Sequence, residues 1–138
     1  MICFFRLLAA LIALVACQAG CGGGQAGKTG PGAGGTPTGK EGLSSLEQML
    51  KSFDSQKKSP PSKIADVEKV EPLFPGAYIA LVQGNIVYTW GKSLSASGAD
   101  VVLAHEKKVP ESGGYVLMQD GTVKEMSASE FGSAKKAK

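Results

Sequence analysis

Residues 115–126 read YVLMQDGTVKEM, two runs rich in β-forming residues on either side of an Asp-Gly pair. Asp120-Gly121 is typical of a two-residue type I′ turn, in which both central residues take a positive φ. Such a turn fixes the register of a hairpin, and here it predicts that Met118 pairs with Val123. The stretch therefore predicts an antiparallel hairpin, one face of which is drier than the other.

Further elements of the sheet are predicted on both sides of this hairpin. Residues 85–90 are rich in β-branched and aromatic side chains, and residues 101–105 form another apolar run, so both favour strands. After the hairpin, Ser127 and Glu130 have the spacing of a capping box. This spacing predicts one last helical turn, which would fold Phe131 back onto the sheet.

The residues before the strands have helical periodicity. Apolar side chains recur at helical spacing at Leu43, Leu46, Met49, Leu50 and Phe53. This pattern predicts an amphipathic helix over 43–54, with Ser44 or Ser45 available as its N-cap.

Two shorter helices are predicted between this first helix and the strands. Pro60-Pro61 interrupts the chain, and residues 63–70 then have apolar side chains on one helical face. Pro75 suits the first position of a helix that continues over 76–83, and Gly84 is expected to end it.

Together these elements predict an α+β domain over 43–132, in which short helices cover one face of a small antiparallel sheet of three to four strands. About 90 residues hold only a modest core, so the domain is expected to be marginally stable. Outside the domain, we expect a signal peptide over 1–16, a flexible linker over 17–42 and a basic, disordered tail over 133–138.

The first residues have the organisation of an export signal. Arg6 precedes an unbroken apolar run over 7–15, which is shorter than the roughly 20 residues of a membrane-spanning helix. The end of the run, Leu14-Val15-Ala16-Cys17, resembles the lipobox of bacterial lipoproteins. An ordinary secretory signal, cleaved after Ala19, is the alternative.

The resemblance to a lipobox implies a defined modification. The chain would be cleaved between Ala16 and Cys17, the Cys17 sulfur would carry a diacylglycerol thioether, and the new amino terminus would be acylated. Two or more acyl chains give firm anchoring, so the membrane is an expected partner through Cys17. Gln18, the following residue, favours the outer membrane over the inner membrane in enteric-type bacteria.

Composition separates a linker from the folded part. Of the 19 glycines, 11 lie between Gly20 and Gly42, and this Gly-rich composition predicts a flexible tether that spans about 25 to 30 Å. With the processing that the lipobox implies, Cys3 would leave with the signal and Cys17 would be alkylated, so Cys21 would have no disulfide partner within the chain. The formal net charge is only +3, and the lysines are scattered among acidic residues, so we expect no nucleic-acid partner.

The carboxyl-terminal part resembles the end of pseudopilin-like proteins that are abundant in planctomycete-type bacteria. Those proteins have an apolar strand ending in Ala-Tyr-Glu-Lys, a Gly-rich turn, a second apolar strand, Asp-Gly-x-Val and a closing Ser-x-x-Glu-Phe. The corresponding residues here are 102–107, 113–123 and 127–131. The resemblance implies a component accessory to a type II secretion-like system. The sequence departs from the pattern at Pro110, where many of those proteins have a histidine, and it lacks their long amino-terminal pilin helix.

The chemically reactive residues do not form a catalytic or metal-binding pattern. His105 is the only histidine, which excludes a metal site built from several histidines. A lone histidine beside Glu106 at the end of an apolar run is expected to be half-buried and to play no part in catalysis. Asp120 is expected to form a turn. We therefore expect no enzymatic activity, no cofactor and no metal.

Two aromatic residues form the remaining candidate site. Tyr88 and Trp90 lie two residues apart on a predicted strand, where core filling is the first interpretation. If exposed, they would form a contact patch for an envelope protein or a glycan. The sequence as a whole predicts a lipid-anchored cell-envelope protein with a non-enzymatic structural or binding role, and the pseudopilin-related accessory component is the alternative.

Overall fold

The structure, a computed structural model, describes residues 38–138, which adopt the predicted α+β fold. The predicted signal peptide, Cys17 and most of the predicted linker fall within residues 1–37 and lie outside the described residues. The helices are α1 (Gly39–Ser55), α2 (Ile64–Glu68), α3 (Pro75–Val82), α4 (Val109–Ser112) and α5 (Ala128–Ser133). The strands are β1 (Ile86–Tyr88), β2 (Val101–Glu106), β3 (Gly114–Met118), β4 (Val123–Met126) and β5 (Lys135–Lys136).

Four strands form an antiparallel sheet, as predicted, and their order is β1-β2-β3-β4. The fifth strand, β5, pairs with β2 in parallel. β1 is shorter than predicted, since it ends at Tyr88 and leaves Trp90 outside the sheet. β2 includes one residue more than predicted, Glu106.

The first helix begins before its predicted start. Thr38 is the N-cap of α1, and it forms a capping box with Glu41: the Glu41 amide donates to Thr38 Oγ1 at 3.4 Å, and the Thr38 amide donates to Glu41 Oε2 at 2.9 Å. The prediction of a cap at Ser44 or Ser45 was therefore wrong. Residues 39–42, which were predicted as linker, belong to the helix.

Ser45 caps a different helix. Its hydroxyl accepts a hydrogen bond from the Ala77 amide at 3.0 Å, near the amino terminus of α3. Phe74, the N-cap residue of α3, makes no side-chain hydrogen bond to the helix, so Ser45 of α1 takes over that role. The same helix pair approaches closely at Gly42, where a Cβ atom would lie 2.6 Å from the Cβ of Ala80.

The hairpin of β3 and β4 forms as predicted, but its register differs by one residue. Leu117 pairs with Val123, so the predicted pairing of Met118 with Val123 was wrong. The Gly121 amide donates to the Met118 carbonyl at 3.0 Å, which closes a three-residue loop.

Backbone angles in the loop explain this register. Gly121 has a φ of 94°, whereas no positive φ occurs at Asp120, so the two residues do not form a type I′ turn. The Asp120 side chain instead accepts a hydrogen bond from the Thr122 amide at 2.9 Å, as an aspartate in a turn often does. The expectation that Asp120 forms a turn is confirmed.

Helices pack on both faces of the sheet rather than on one face alone. The larger core joins α1 and α3 to side chains of β1, β2 and β3, among them Leu103 and Leu117. A smaller core on the other face joins α4 and α5 to the sheet through Val102, Val109, Val116, Met118 and Phe131. The observed hairpin register places Leu117 in the larger core and Met118 in the smaller one. Phe131 is buried against the sheet, as predicted.

The predicted disordered tail is an ordered part of the fold. Because β1 ends at Tyr88, the first residues of β2 have an open edge, and β5 pairs there with Val101 and Val102. Lys135 forms an ion pair with Asp100 at 2.5 Å. Lys136 donates to the Ala134 carbonyl at 2.7 Å. The prediction of disorder over 133–138 rested on the basic composition and was wrong.

Candidate functional site

An open groove of about 540 Å³ lies where α1 ends and α2 begins. Its lining includes side chains from the last turn of α1, the connecting loop and α2. The lining residues are Phe53, Lys58, Ser59, Pro60, Pro61, Ser62, Asp66, Lys69 and Val70. Phe53 is about 20 Å along α1 from Gly39, at a rise of about 1.5 Å per residue. The groove therefore lies at the end of α1 opposite to the point where the upstream chain enters the domain.

Local backbone chemistry shapes one wall of this groove. Lys57 has a φ of 54° and reverses the chain after α1, and the Lys58 amide donates to the Phe53 carbonyl at 2.9 Å. Pro60 and Pro61 then keep the loop from continuing as a helix. The Gly91 amide donates to the Pro61 carbonyl at 2.9 Å, so the loop is held against the segment that follows β1.

The polar part of the groove contains one carboxylate, that of Asp66. Asp66 Oδ2 accepts hydrogen bonds from the Ser62 amide at 3.1 Å and from the Ser62 hydroxyl at 3.0 Å. These two hydrogen bonds hold the pKa of Asp66 below its usual value. Lys69 also approaches the carboxylate, at 3.6 Å. Asp66 is therefore charged at neutral pH and is already compensated by its neighbours.

The apolar surface continues beyond the groove. A smaller cavity of about 80 Å³ shares Phe53, Lys58 and Val70 with it and also reaches Leu73 and Phe74. Leu73 is 72% exposed, and no other large apolar side chain of the described residues is more exposed. Exposed apolar side chains beside a groove are typical of interaction sites.

The structure separates the two aromatic residues of the predicted contact patch. Tyr88 is only 4% exposed and packs in the larger core, and its hydroxyl donates to the Lys92 carbonyl. Trp90 is 38% exposed, and its ring meets that of Tyr88 edge-on, with 5.1 Å between the centroids. The core-filling interpretation is thus confirmed for Tyr88, and only Trp90 offers exposed surface.

Burial of Tyr88 leads to a prediction for alkaline solution. Burial raises the pKa of its hydroxyl well above the ordinary tyrosine value of about 10. The fold therefore favours the neutral form. The contribution of neutral Tyr88 to the free energy of unfolding is fully present below the pKa of an unfolded tyrosine. It is lost as the pH rises toward the pKa of Tyr88 in the folded protein.

We expect Tyr88→Phe to remove this loss of stability. Between about pH 9 and about pH 11, the free energy of unfolding of the unmodified protein should fall more steeply than that of Tyr88→Phe, with a difference of up to about 1.4 kcal/mol per pH unit above 10. Urea unfolding at both pH values measures the two slopes. Equal slopes for the two proteins would contradict the prediction.

His105 is half-buried, as expected, on the face of the sheet that carries the smaller core. Its ring lies 4.6 Å from the Phe131 ring, between centroids, and Nδ1 is 2.8 Å from the Glu106 carbonyl oxygen. One ring nitrogen is thus engaged with the backbone. Within residues 38–138, no group of three or more histidine, cysteine or acidic side chains is arranged to hold a metal ion.

Glu106 is the one charged side chain in the buried part of the described domain. Its Oε2 accepts a hydrogen bond from the Tyr115 amide at 2.7 Å and lies 3.7 Å from the Lys108 ammonium. The carboxylate is also packed against Gly39 and Gly114, where any Cβ atom would collide with it. Glu106 therefore joins the start of α1 to the β2–β3 connection, a role that the sequence did not indicate.

Comparisons with protein-family models, with curated proteins and with solved structures find no match to this chain. A search of the described helices finds none whose length and apolar character would let it cross a membrane.

Sequence reasoning did not predict the groove, although it identified its components. Phe53 was assigned to the apolar face of a helix, and Pro60-Pro61 was interpreted only as an interruption. The one sequence signal for a surface site was the combination of basic residues and prolines directly after a helix, in Lys57-Lys58-Ser59-Pro60-Pro61.

Proposed function

We propose that this chain is a lipid-anchored protein of the bacterial cell envelope, whose folded domain has a non-enzymatic binding role. The observation that carries the proposal is the sequence Leu14-Val15-Ala16-Cys17 directly at the end of a short apolar run. Acylated Cys17 would be the membrane anchor. The domain begins at Thr38, the N-cap of α1, so residues 18–37 would connect the anchor to it.

The position of the groove supports a binding role. The groove and Thr38 lie at opposite ends of α1, so the groove is separate from the residue at which the described domain begins. The lining combines apolar side chains with a few charged and polar ones, as binding pockets commonly do. An envelope protein or a glycan is the class of partner that this proposal expects.

An accessory role in a type II secretion-like system is a second candidate. It is favoured by the closing element of the pseudopilin-like pattern, since Ser127 and Glu130 form a capping box and Phe131 packs on the sheet. Genes for a secretion ATPase or for pseudopilins beside the gene of this chain would support it. A gene that stands apart from secretion genes would favour an independent lipoprotein.

Membrane fractionation tests the anchor. In a bacterial host that processes lipoproteins, the unmodified chain should sediment with membranes and remain there after a high-salt wash, because acyl chains hold it by burial of apolar surface. Cys17→Ala should lose this attachment to lipid, and the chain should either be released or stay as the uncleaved precursor.

Cys21→Ala is the matched control, since it removes a neighbouring cysteine outside the lipobox. It should fractionate like the unmodified chain. If Cys17→Ala is processed and remains with the membranes to the same extent as Cys21→Ala, the proposed anchor is wrong.

A further inference from the structure

We propose that the groove between α1 and α2 binds an acidic peptide segment of an envelope protein, in which an apolar side chain is flanked by carboxylates. This inference rests on the binding role proposed above, but it does not depend on the lipid anchor. Three features of the groove support it: an apolar lining, a lysine without an ionic partner and a loop that is held in place.

The apolar part of the groove is preformed and solvent-accessible. Phe53, Pro60 and Val70 line it with partly exposed side chains, whereas Pro61, which also borders it, is fully buried. Its volume of about 540 Å³ lies within the range that is typical of ligand sites. The surface continues toward Leu73 through the smaller cavity. A partner side chain that enters this space would be removed from water, which favours aliphatic or aromatic residues.

The charged residues of the groove determine which apolar peptide segments it favours. Lys58, Asp66 and Lys69 are the charged residues that line the groove. Asp66 is compensated by the Ser62 hydrogen bonds and by Lys69, whereas Lys58 makes no ion pair within residues 38–138. An unpaired ammonium group at the edge of an apolar groove attracts a carboxylate of the partner.

The residues around the groove carry charges of both signs, so the charges of the lining residues decide which charge on a partner is favoured. Lys57 and Lys63 flank the connecting loop, and Asp54 and Glu68 are close to it in sequence without lining the groove. Lys69 is 75% exposed and contacts Asp66 only at 3.6 Å, and the two Ser62 hydrogen bonds stay on Asp66 if Lys69 turns toward a second carboxylate. A segment with acidic residues on both sides of an apolar one would therefore pair with both lysines.

The loop that forms one wall needs little reorganisation to bind. Pro60 and Pro61 restrict its backbone, and the hydrogen bond from the Gly91 amide fixes Pro61. Binding to a preorganised site costs less conformational entropy than binding to a mobile one. Because the site is concave, it suits a protruding peptide side chain better than the flat surface of a bilayer.

Selection from a display library of random 12-residue peptides tests the inference, with the full chain purified in detergent as the target. We expect the enriched peptides to have Asp or Glu on both sides of an aliphatic or aromatic residue. Lys58→Glu should weaken their binding at least about tenfold, since it replaces an attraction with a repulsion beside the apolar groove. Because Lys58 is exposed, the variant is expected to fold normally.

Lys124→Glu is the matched control, because it makes the same change of charge at an exposed lysine of β4 that does not line the groove. It should change binding by less than about threefold. The inference is overturned if no peptide is enriched, if the enriched peptides are basic or uncharged, or if both variants have the same effect. Each of these results would leave the membrane fractionation of Cys17→Ala unaffected, so the two proposals fail independently.

Discussion

Gly42→Leu should destabilise the domain more than any other single substitution considered for this chain. Gly42 is buried in α1, where a Cβ atom would lie only 2.6 Å from the Cβ of Ala80 in α3. Both atoms are fixed to helix backbones, so a leucine would have to push the helices apart. Overpacking in a close-packed core costs about 1 to 3 kcal/mol and occasionally more. We expect a loss of about 3 kcal/mol, with Ser45 also drawn away from the Ala77 amide.

Urea unfolding followed by circular dichroism measures this loss. A domain of this size is expected to have an m-value of about 1 to 3 kcal/mol per molar urea, so the midpoint should fall by at least about 1 M, or the variant should be unfolded without denaturant. Gly132→Leu is the matched control, because Gly132 is a helical glycine with no atom near its Cβ position. A midpoint for Gly42→Leu equal to that of Gly132→Leu would contradict the observed packing of α1 on α3.

Glu106→Ala should have the second-largest effect. It would leave the Tyr115 amide without the carboxylate that now accepts its hydrogen bond at 2.7 Å. An unsatisfied donor in a buried position costs about 1 to 3 kcal/mol. The carboxylate also lies beside Gly39, the first residue of α1, where negative charge stabilises a helix by about 0.3 to 1 kcal/mol. We therefore expect a total loss of about 2 to 3 kcal/mol.

Two further variants separate the causes of this loss. Glu106→Gln keeps an oxygen that can accept from Tyr115 but removes the charge, so its unfolding free energy should lie between those of the unmodified protein and Glu106→Ala. Glu125→Ala removes an exposed carboxylate of β4 and should cost less than about 0.5 kcal/mol. If Glu106→Ala and Glu125→Ala unfold at the same urea concentration, Glu106 has no role in joining the elements.

The sheet and its hairpin were predictable from sequence because their signals are local. Alternating apolar residues and the Asp-Gly pair indicate a hairpin wherever they occur, and Ser127 with Glu130 indicates a helix start. The register was not predictable, because Asp-Gly fits both a two-residue loop and a three-residue loop that ends in glycine. The choice depends on which core accepts Met118 and Leu117, and the presence of two cores is a property of the whole fold.

The predictions for the two ends of the domain were wrong for different physical reasons. Gly39 and Gly42 lower the helix propensity of the first turns of α1, but tertiary contacts outweigh that cost, since glycine is what lets Ala80 and Glu106 approach. At the other end, Lys135 and Lys136 have no strand propensity to reveal them. They are ordered because the short β1 leaves an edge of β2 unpaired, which the local sequence does not show.

The candidate groove was not predictable as a site, because its residues come from separate elements. Phe53 lies in α1 and Val70 follows α2, and they line one groove only after the chain reverses at Lys57. A positive φ at a lysine is rare, so the sequence did not indicate the reversal. By contrast, the proposal for Cys17 rests on a contiguous pattern of four residues and depends on no tertiary contact.

Intact mass spectrometry of the membrane fraction tests the proposed lipid anchor most directly. The proposal predicts a mature chain that begins at Cys17, heavier than its sequence mass by a diacylglycerol group and an amino-terminal acyl chain, and absent from the Cys17→Ala variant. An unmodified chain that begins elsewhere, for example at Gly20 after cleavage behind Ala19, would contradict the proposal and make the domain a secreted protein with a free thiol at Cys21.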